Sequence, residues 1–157
     1  MTACALFAST LLAATALSQS AAQQPPDSAA AADDAGAGLF SQMCSDCHDP
    51  ARIVSTRRTK TDWQEVLNQM IEKGATGTGK DFETVFGYLL RNYGRLYINR
   101  ATSDEIAMIL GFSKKDAEAI VAYRKANGSF ADFDAVKRVP GIDVKKLEDR
   151  KDAVAFE

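Results

Sequence analysis

Histidine and cysteine are scarce in this chain, which has one histidine, His48, and 3 cysteines among its 157 residues. A Ser-His-Asp triad would have to use His48, and a zinc site built from several histidines or a haem with two histidine ligands is excluded. A large excess of charge is also absent, because 19 Lys and Arg residues face 21 Asp and Glu residues. These counts exclude a strongly basic nucleic-acid-binding chain, and a hydrophobic content of 46% excludes a wholly disordered one.

Strand-like alternation of apolar and polar residues is missing as well. Apolar residues recur instead at helical spacing, for example at Trp63, Val66 and Met70. We therefore predict an all-α protein made of two helical units, residues 38–94 and residues 95–157.

Two longer helices are predicted in the first unit. Thr61 and Gln64 fit a capping box at the start of a helix that ends near Gly74. A second helix is predicted from Asp81 to about Asn92. The glycine-rich segment between the two helices lacks the spacing of a phosphate-binding loop, so we expect no nucleotide site there.

The N-terminal segment has the features of an export signal. Residues 3–17 form an uncharged apolar run that is short for a membrane span, which needs about 20 apolar residues. We predict a signal peptide over residues 1–22, with a retained anchor as the alternative. Residues 23–37 are rich in proline, acids and alanine, which predicts a flexible linker. The mature chain would then be periplasmic or secreted and would have no transmembrane segment.

The most specific motif is Cys44-Ser45-Asp46-Cys47-His48. C-x-x-C-H is the attachment signature of c-type haem, in which two thiols bind the porphyrin and the adjacent histidine binds the iron. We predict one covalently attached haem c, with Cys44 and Cys47 as thioethers and His48 as the proximal iron ligand. Three alternatives remain: a redox dithiol, for which a βαβ pattern is missing, a zinc site, which lacks a fourth ligand, and a structural disulfide.

The distal iron ligand cannot be a second histidine, which makes methionine the natural choice. Met43 precedes the attachment motif and is badly placed to reach the opposite face of the haem, and Met108 has the neighbours of a core residue. We therefore predict Met70 as the distal ligand. Ligation by Lys73 or Lys80, an open iron site, and an ordinary core role for Met70 stay as alternatives.

Several features of the first unit match one family. They are the segment Gly38-Leu39-Phe40, the C-x-x-C-H motif, the helix from Trp63 to Met70 and the closing helix with Phe82, Tyr88 and Leu89. On these features residues 38–94 resemble a small class I c-type cytochrome domain, and they are most similar to the haem domains attached to bacterial periplasmic dehydrogenases. The resemblance implies that Met70 ligates iron. Arg57 and Arg58 would suit the haem propionates by charge, and a solvated basic turn is the alternative.

The second unit contains an internal repeat with an offset of 30 residues. Each copy predicts a helix, a tight turn and a second helix, with the turns at residues 110–113 and 140–143. The matching pairs are Ile106 and Val136, Ile109 and Val139, Gly111 and Gly141, Phe112 and Ile142, and Lys115 and Lys145.

The second unit also matches a family over nearly its whole length. The segments that carry the match include Ile98-Asn99-Arg100-Ala101-Thr102, Leu110-Gly111-Phe112, residues 119–124, Gly128-Ser129-Phe130 and Val139-Pro140-Gly141-Ile142. Residues 96–156 are similar to the tandem helix-hairpin-helix domain of the ComEA family of periplasmic DNA receptors. The resemblance implies that hairpin N–H groups, helix N-termini and nearby lysines contact DNA phosphates. The candidate DNA or partner contacts are Gly111, Lys114, Lys115, Gly141, Lys145 and Lys146.

The second unit departs from that family's hairpins at two positions. A second hairpin glycine is replaced by Ser113 in one copy and by Asp143 in the other, and the Asp143 carboxylate repels a phosphate. From Arg95 onward, 12 Lys and Arg residues face 11 Asp and Glu residues, whereas duplex binding normally needs a basic face. These two departures favour protein docking over DNA binding.

The sequence as a whole predicts a periplasmic mono-haem cytochrome that carries single electrons and has no enzymatic turnover. Its helix-hairpin-helix tail would dock it to a redox partner such as a periplasmic dehydrogenase or oxidase. The alternative is an extracytoplasmic DNA-binding protein with an accessory haem domain. A small peroxidase, which would need an open iron site, is a third class.

Overall fold

The computed structural model describes residues 28–156, and within that range the chain is mostly helical, with two short strands. This confirms the all-α prediction. The helices are α1 (Ser28–Ser45), α2 (Lys60–Glu72), α3 (Gly79–Tyr93), α4 (Ser103–Leu110), α5 (Lys114–Asn127), α6 (Phe133–Lys137) and α7 (Val144–Asp149). Short 3-10 turns cover Pro50–Arg52 and Lys151–Ala153, and two short strands are β1 (Leu96–Tyr97) and β2 (Val154–Ala155).

Helix α1 begins ten residues earlier than the predicted linker allows. Residues 28–37 are helical rather than a tether, because α1 packs along α3. Gly36 is buried, and a Cβ atom there would come within 2.5 Å of Tyr88 Cβ, so only glycine permits this close approach. Asp33 also forms an ion pair with Arg91 of α3. The predicted signal peptide and residues 23–27 lie outside the described residues.

Helix α2 begins at a different threonine from the predicted one. Its N-cap is Thr59, which forms a capping box with Asp62, whereas Thr61 lies inside the first turn. The reason is a contact far away in sequence: the N–H of Arg58 donates to the Tyr93 carbonyl at 3.1 Å, which keeps the backbone extended up to Thr59. Trp63 is then fully buried, and its Nε1 donates to the same Tyr93 carbonyl at 3.0 Å.

The second unit has the predicted pair of hairpins. Gly111 ends α4 with a φ of 70°, and Gly141, between α6 and α7, has a φ of 81°. Both values lie in the left-handed region that glycine adopts without a steric penalty. Ser113 and Asp143 cap the helices that follow, α5 and α7.

A parallel pair of two-residue strands joins the two ends of the second unit. Leu96 pairs with Val154 and Tyr97 with Ala155. Strands this short show no alternation in the sequence, which explains why none was predicted.

The two units share one hydrophobic core in the described residues. Leu90 of α3 and Ile109 of α4 belong to the same buried cluster. The Arg57 guanidinium donates to the carbonyls of Asn92 and Gly94 at 3.0 and 3.2 Å and so holds the connection between the units. The boundary at residues 94 and 95 itself stays a prediction.

Candidate functional site

The two hairpin turns of the second unit lie next to each other. Lys146, in the first turn of α7, donates from its Nζ to the Gly111 carbonyl at 2.9 Å. A residue of the second hairpin therefore contacts the turn of the first across 35 positions of sequence. The hairpin surface, defined here as residues 111–116 and 141–146, is the candidate nucleic-acid interface.

The first hairpin presents a helix N-terminus with a neutral cap. The Ser113 hydroxyl accepts from the N–H of Asp116 at 3.1 Å and donates to the Asp116 carboxylate at 2.8 Å. Gly111 and Ser113 are exposed. The free N–H groups at the start of an α-helix and its positive dipole end attract anions, although the Asp116 carboxylate opposes part of this attraction.

The second hairpin carries a charged cap instead. The Asp143 carboxylate accepts from the N–H of Lys146 at 3.0 Å and therefore occupies the N-terminus of α7. The sequence predicted a repulsive carboxylate at this place, and the contact gives it a second role as a helix cap. The first hairpin is consequently the better anion site of the two.

Exposed lysines surround both hairpins. The Nζ atom of Lys114 lies 4.0 Å from a carboxylate oxygen of Glu118, and the Nζ atom of Lys145 lies 3.1 Å from a carboxylate oxygen of Asp149. The hydrogen bond to Asp149 raises the pKa of Lys145. Pairs this exposed are weak, so both ammonium groups remain available to a polyanion. Lys115 is exposed at the start of α5.

A second candidate site lies between α1, α2 and α3. It is an apolar cavity of about 200 Å³ that brings together all four residues predicted to hold haem. Cys44 comes from the last turn of α1, Cys47 and His48 from the turn after it, and Met70 from α2. The other lining residues are Met43, Leu67, Lys73, Ala75, Phe82 and Val85.

The donor set of this cavity fits a c-type haem. Cys44 and Cys47 are free thiols rather than a disulfide, and burial raises the pKa of the Cys44 thiol. Two thiols, one imidazole and two thioethers, those of Met43 and Met70, line the same apolar cavity, which therefore offers the groups needed for covalent attachment and His/Met ligation.

Met43 and Arg57 make contacts that the sequence did not predict. Met43 lines the cavity, although its position in the sequence argued against it as the distal ligand. A Cβ atom at position 77 would lie 2.7 Å from the Met43 Cε atom. The glycine-rich segment therefore accommodates a methionine. Arg57 binds main-chain carbonyls rather than facing the cavity, whereas Arg58 lines a separate depression beside His48. The sequence signal for the position of Met43 is Gly77, because a residue without a side chain leaves room for the methionine.

Comparisons with known proteins match the two units separately. Residues 91–154 match the family described as helix-hairpin-helix motif. Residues 13–78 match the family described as quinohemoprotein amine dehydrogenase A, alpha subunit, haem binding. No solved structure matches the chain.

The curated relatives resemble only part of the chain. "ComE operon protein 1" of Bacillus subtilis is 40% identical over 57 residues, which cover 36% of this chain and 28% of the relative. An uncharacterized protein of Haemophilus influenzae is 41% identical over 63 residues, 40% of this chain and 56% of the relative. "Endonuclease/exonuclease/phosphatase family domain-containing protein 1" of Homo sapiens is 36% identical over 66 residues, 42% of this chain and 12% of the relative. The chain thus spans about half or less of these relatives.

Fold and comparison together identify the second unit as a helix-hairpin-helix domain. Within residues 28–156, no helix combines the length and the apolar character needed to cross a membrane.

Proposed function

We propose that the helix-hairpin-helix domain binds the phosphate backbone of DNA and that the protein acts outside the cytoplasm. The observation that carries the proposal is the contact between Lys146 and Gly111, because it holds two left-handed glycine turns on one surface. Two such turns reach phosphates along one duplex. The resemblance to the ComEA family supports this function over simple docking to a redox partner.

The charges of the hairpin surface predict a modest, sequence-independent affinity. Residues 95–157 carry a net charge of only +1, so attraction depends on the local lysines at the hairpins. Phosphate contacts position a protein on DNA without reading its bases. We expect the first hairpin to contribute more than the second, because the neutral Ser113 hydroxyl caps α5, whereas the Asp143 carboxylate itself accepts from an N–H group of α7.

The test is a fluorescence anisotropy titration of labelled duplex DNA with the full mature chain at low salt. The variant K114Q/K115Q removes two charges at the first hairpin and should weaken binding about tenfold. The control K80Q/K125Q removes the same charge from α3 and from the far end of α5, and should weaken binding less than threefold. Equal losses in the two variants, or no binding by wild type, would contradict the proposal.

A second function is favoured by the cavity that collects Cys44, Cys47, His48 and Met70. We propose that it holds one haem c, with the two thiols as thioethers, His48 as proximal ligand and Met70 as distal ligand. Bound haem supplies a one-electron ferric/ferrous couple. The chain's own residues would present the His48 imidazole and the Met70 thioether to the group, and Leu67, Phe82 and Val85 would exclude water. The likeness of residues 13–78 to a haem-binding family supports this proposal.

Covalent attachment is tested by expression in a host that matures c-type cytochromes. Wild type should keep haem on a denaturing gel and should have the mass of the polypeptide plus one haem. The variant C44A/C47A should be colourless and should have the mass of the polypeptide alone. The variant M70A should bind carbon monoxide readily in the reduced state, whereas the control M108A, at an exposed methionine, should not. A colourless wild type would contradict the haem proposal, and ready binding of carbon monoxide by wild type would reject Met70 as ligand.

With haem attached, the protein would pass electrons to a redox partner such as a periplasmic dehydrogenase or oxidase. Attachment of haem c takes place outside the cytoplasm, so the haem proposal implies an exported mature chain, in the periplasm or beyond. Cell fractionation tests this location, and recovery with the cytoplasm would contradict it.

A further inference from the structure

We propose a binding site for a phosphate monoester in the cleft between the N-terminus of α2 and the connection from β1 to α4. This cleft is a cavity of about 240 Å³ that is separate from the hairpin surface and from the cysteine cavity. Its charged lining residues are Lys60, Arg95, Arg100 and Glu105, which give the cleft a net charge of +2.

Two of the cations are held against one aromatic ring. The guanidinium carbons of Arg95 and Arg100 lie 5.9 and 5.6 Å from the centre of the Tyr97 ring. The turn from Tyr97 to Ala101, in which the N–H groups of Arg100 and Ala101 both donate to the Tyr97 carbonyl at 2.9 Å, brings Arg100 back over the ring. Neither guanidinium forms an ion pair or a side-chain hydrogen bond with any residue between 28 and 156. An anion bound in the cleft would offset the repulsion between these two like charges.

The remaining groups add to the attraction for an anion. Lys60 is half-exposed and lies 3.9 Å from Glu105, a distance at the limit of an ion pair, so its ammonium group can turn toward a ligand. The floor of the cleft is apolar and buried, with Leu96, Ala101 and Ile109 beneath the charges. Coulombic attraction is stronger beside such a low-dielectric surface than in open solvent.

Charge and donor geometry select the ligand class. Arginine presents paired N–H donors that match the oxygens of a phosphate. A monoester dianion balances the net charge of +2, whereas a phosphodiester carries a single negative charge. The same chemistry is offered by a small phosphorylated metabolite and by the 5′-phosphate at a DNA end.

The experiment titrates full-length mature protein with methyl phosphate and follows the backbone and arginine side-chain resonances by NMR. We expect saturable shifts at Arg95, Tyr97 and Arg100, and at least tenfold weaker binding of dimethyl phosphate. Binding should also strengthen between pH 5 and 8, as the monoester loses its second proton near a pKa of about 6. Shifts confined to residues 111–116 and 141–146, or equal binding of monoester and diester, would overturn the proposal.

A charge variant and two duplexes complete the test. R95Q/R100Q should lose the methyl phosphate response at least tenfold, whereas K80Q/K125Q should keep it. An unchanged response in R95Q/R100Q would overturn the proposal, and the wild-type shift map decides the matter if that variant does not fold. Tighter binding of a 5′-phosphorylated duplex than of its 5′-hydroxyl counterpart supports a DNA end as the source, and equal binding of the two duplexes supports a small metabolite.

Discussion

The Nζ atom of Lys146 lies 2.9 Å from the carbonyl oxygen of Gly111 and connects the two hairpins of the second unit. The contact joins the start of α7 to the turn that ends α4. It fixes the relative position of the two turns, whereas the lysine next to it, Lys145, pairs within its own helix with Asp149.

The first prediction follows from this difference between neighbouring lysines. K146M and K145M remove the same charge, but only K146M breaks the contact between hairpins. We expect K146M to weaken duplex binding about threefold more than K145M, which corresponds to about 0.7 kcal/mol for the lost hydrogen bond. Anisotropy titrations of the two variants measure the ratio, and equal affinities would show that the contact has no part in binding.

The second prediction concerns the carboxylate at the second hairpin. Asparagine caps a helix about as well as aspartate, so D143N keeps the cap of α7 while removing the negative charge. We expect duplex affinity to rise by about threefold at low salt, because a repulsion at the phosphate site is removed. D132N is the matched control, since Asp132 caps α6 at the end away from the hairpin, through the N–H of Ala135 at 2.7 Å. An affinity that falls in D143N, or rises equally in D132N, would contradict the assignment of the second hairpin.

The third prediction distinguishes the two threonines at the start of α2. Thr59 caps the helix together with Asp62, whereas Thr61 is exposed in its first turn. T59A should lower the free energy of unfolding by about 1 kcal/mol, and T61A should change it by less than about 0.5 kcal/mol. Urea denaturation measures both, and T59S serves as the control that keeps the hydroxyl. A larger loss of unfolding free energy in T61A than in T59A would contradict Thr59 as the N-cap and would support the helix start predicted from the sequence.

The fourth prediction is an alkaline loss of stability at Tyr88. Burial, followed by the hydrogen bond with Tyr93, raises the pKa of Tyr88 to about 12. An unfolded tyrosine ionises near pH 10, so the folded state favours the neutral phenol. The corresponding stability is fully present below pH 10 and is lost as the pH rises from about 10 to 12.

Replacement of the phenol tests this. Y88F should show a flatter decline of unfolding free energy between pH 9.5 and about 11.5 than wild type, because the titrating group is gone. Y123F, in the helix-hairpin-helix domain, should keep the wild-type decline. Parallel curves for Y88F and wild type would mean that another group causes the alkaline loss.

Local signals in the sequence predicted much of this molecule. The two glycine turns, their offset of 30 residues and the helices around them follow from residue type and spacing, because a left-handed φ needs glycine at Gly111 and Gly141. The C-x-x-C-H motif and Met70 line one cavity, and their role in holding haem stays a prediction.

Long-range contacts account for what the sequence did not predict. The N-terminal half of α1 depends on Gly36 meeting Tyr88, and the start of α2 depends on Arg58 meeting Tyr93. The contact from Lys146 to Gly111 joins positions that no periodicity connects. Each of these three contacts exists only in the packed fold, so residue type and spacing along the sequence do not predict it.

The most direct test of DNA-backbone binding is the dependence of duplex affinity on salt. Between about 25 and 200 mM salt, the slope of log K against log salt should be about −2 to −3, at roughly −0.9 for each phosphate contacted. The slope should be the same for duplexes of unrelated sequence, because the hairpins contact phosphates rather than bases. A slope near zero, or no binding at about 25 mM salt, would contradict the account.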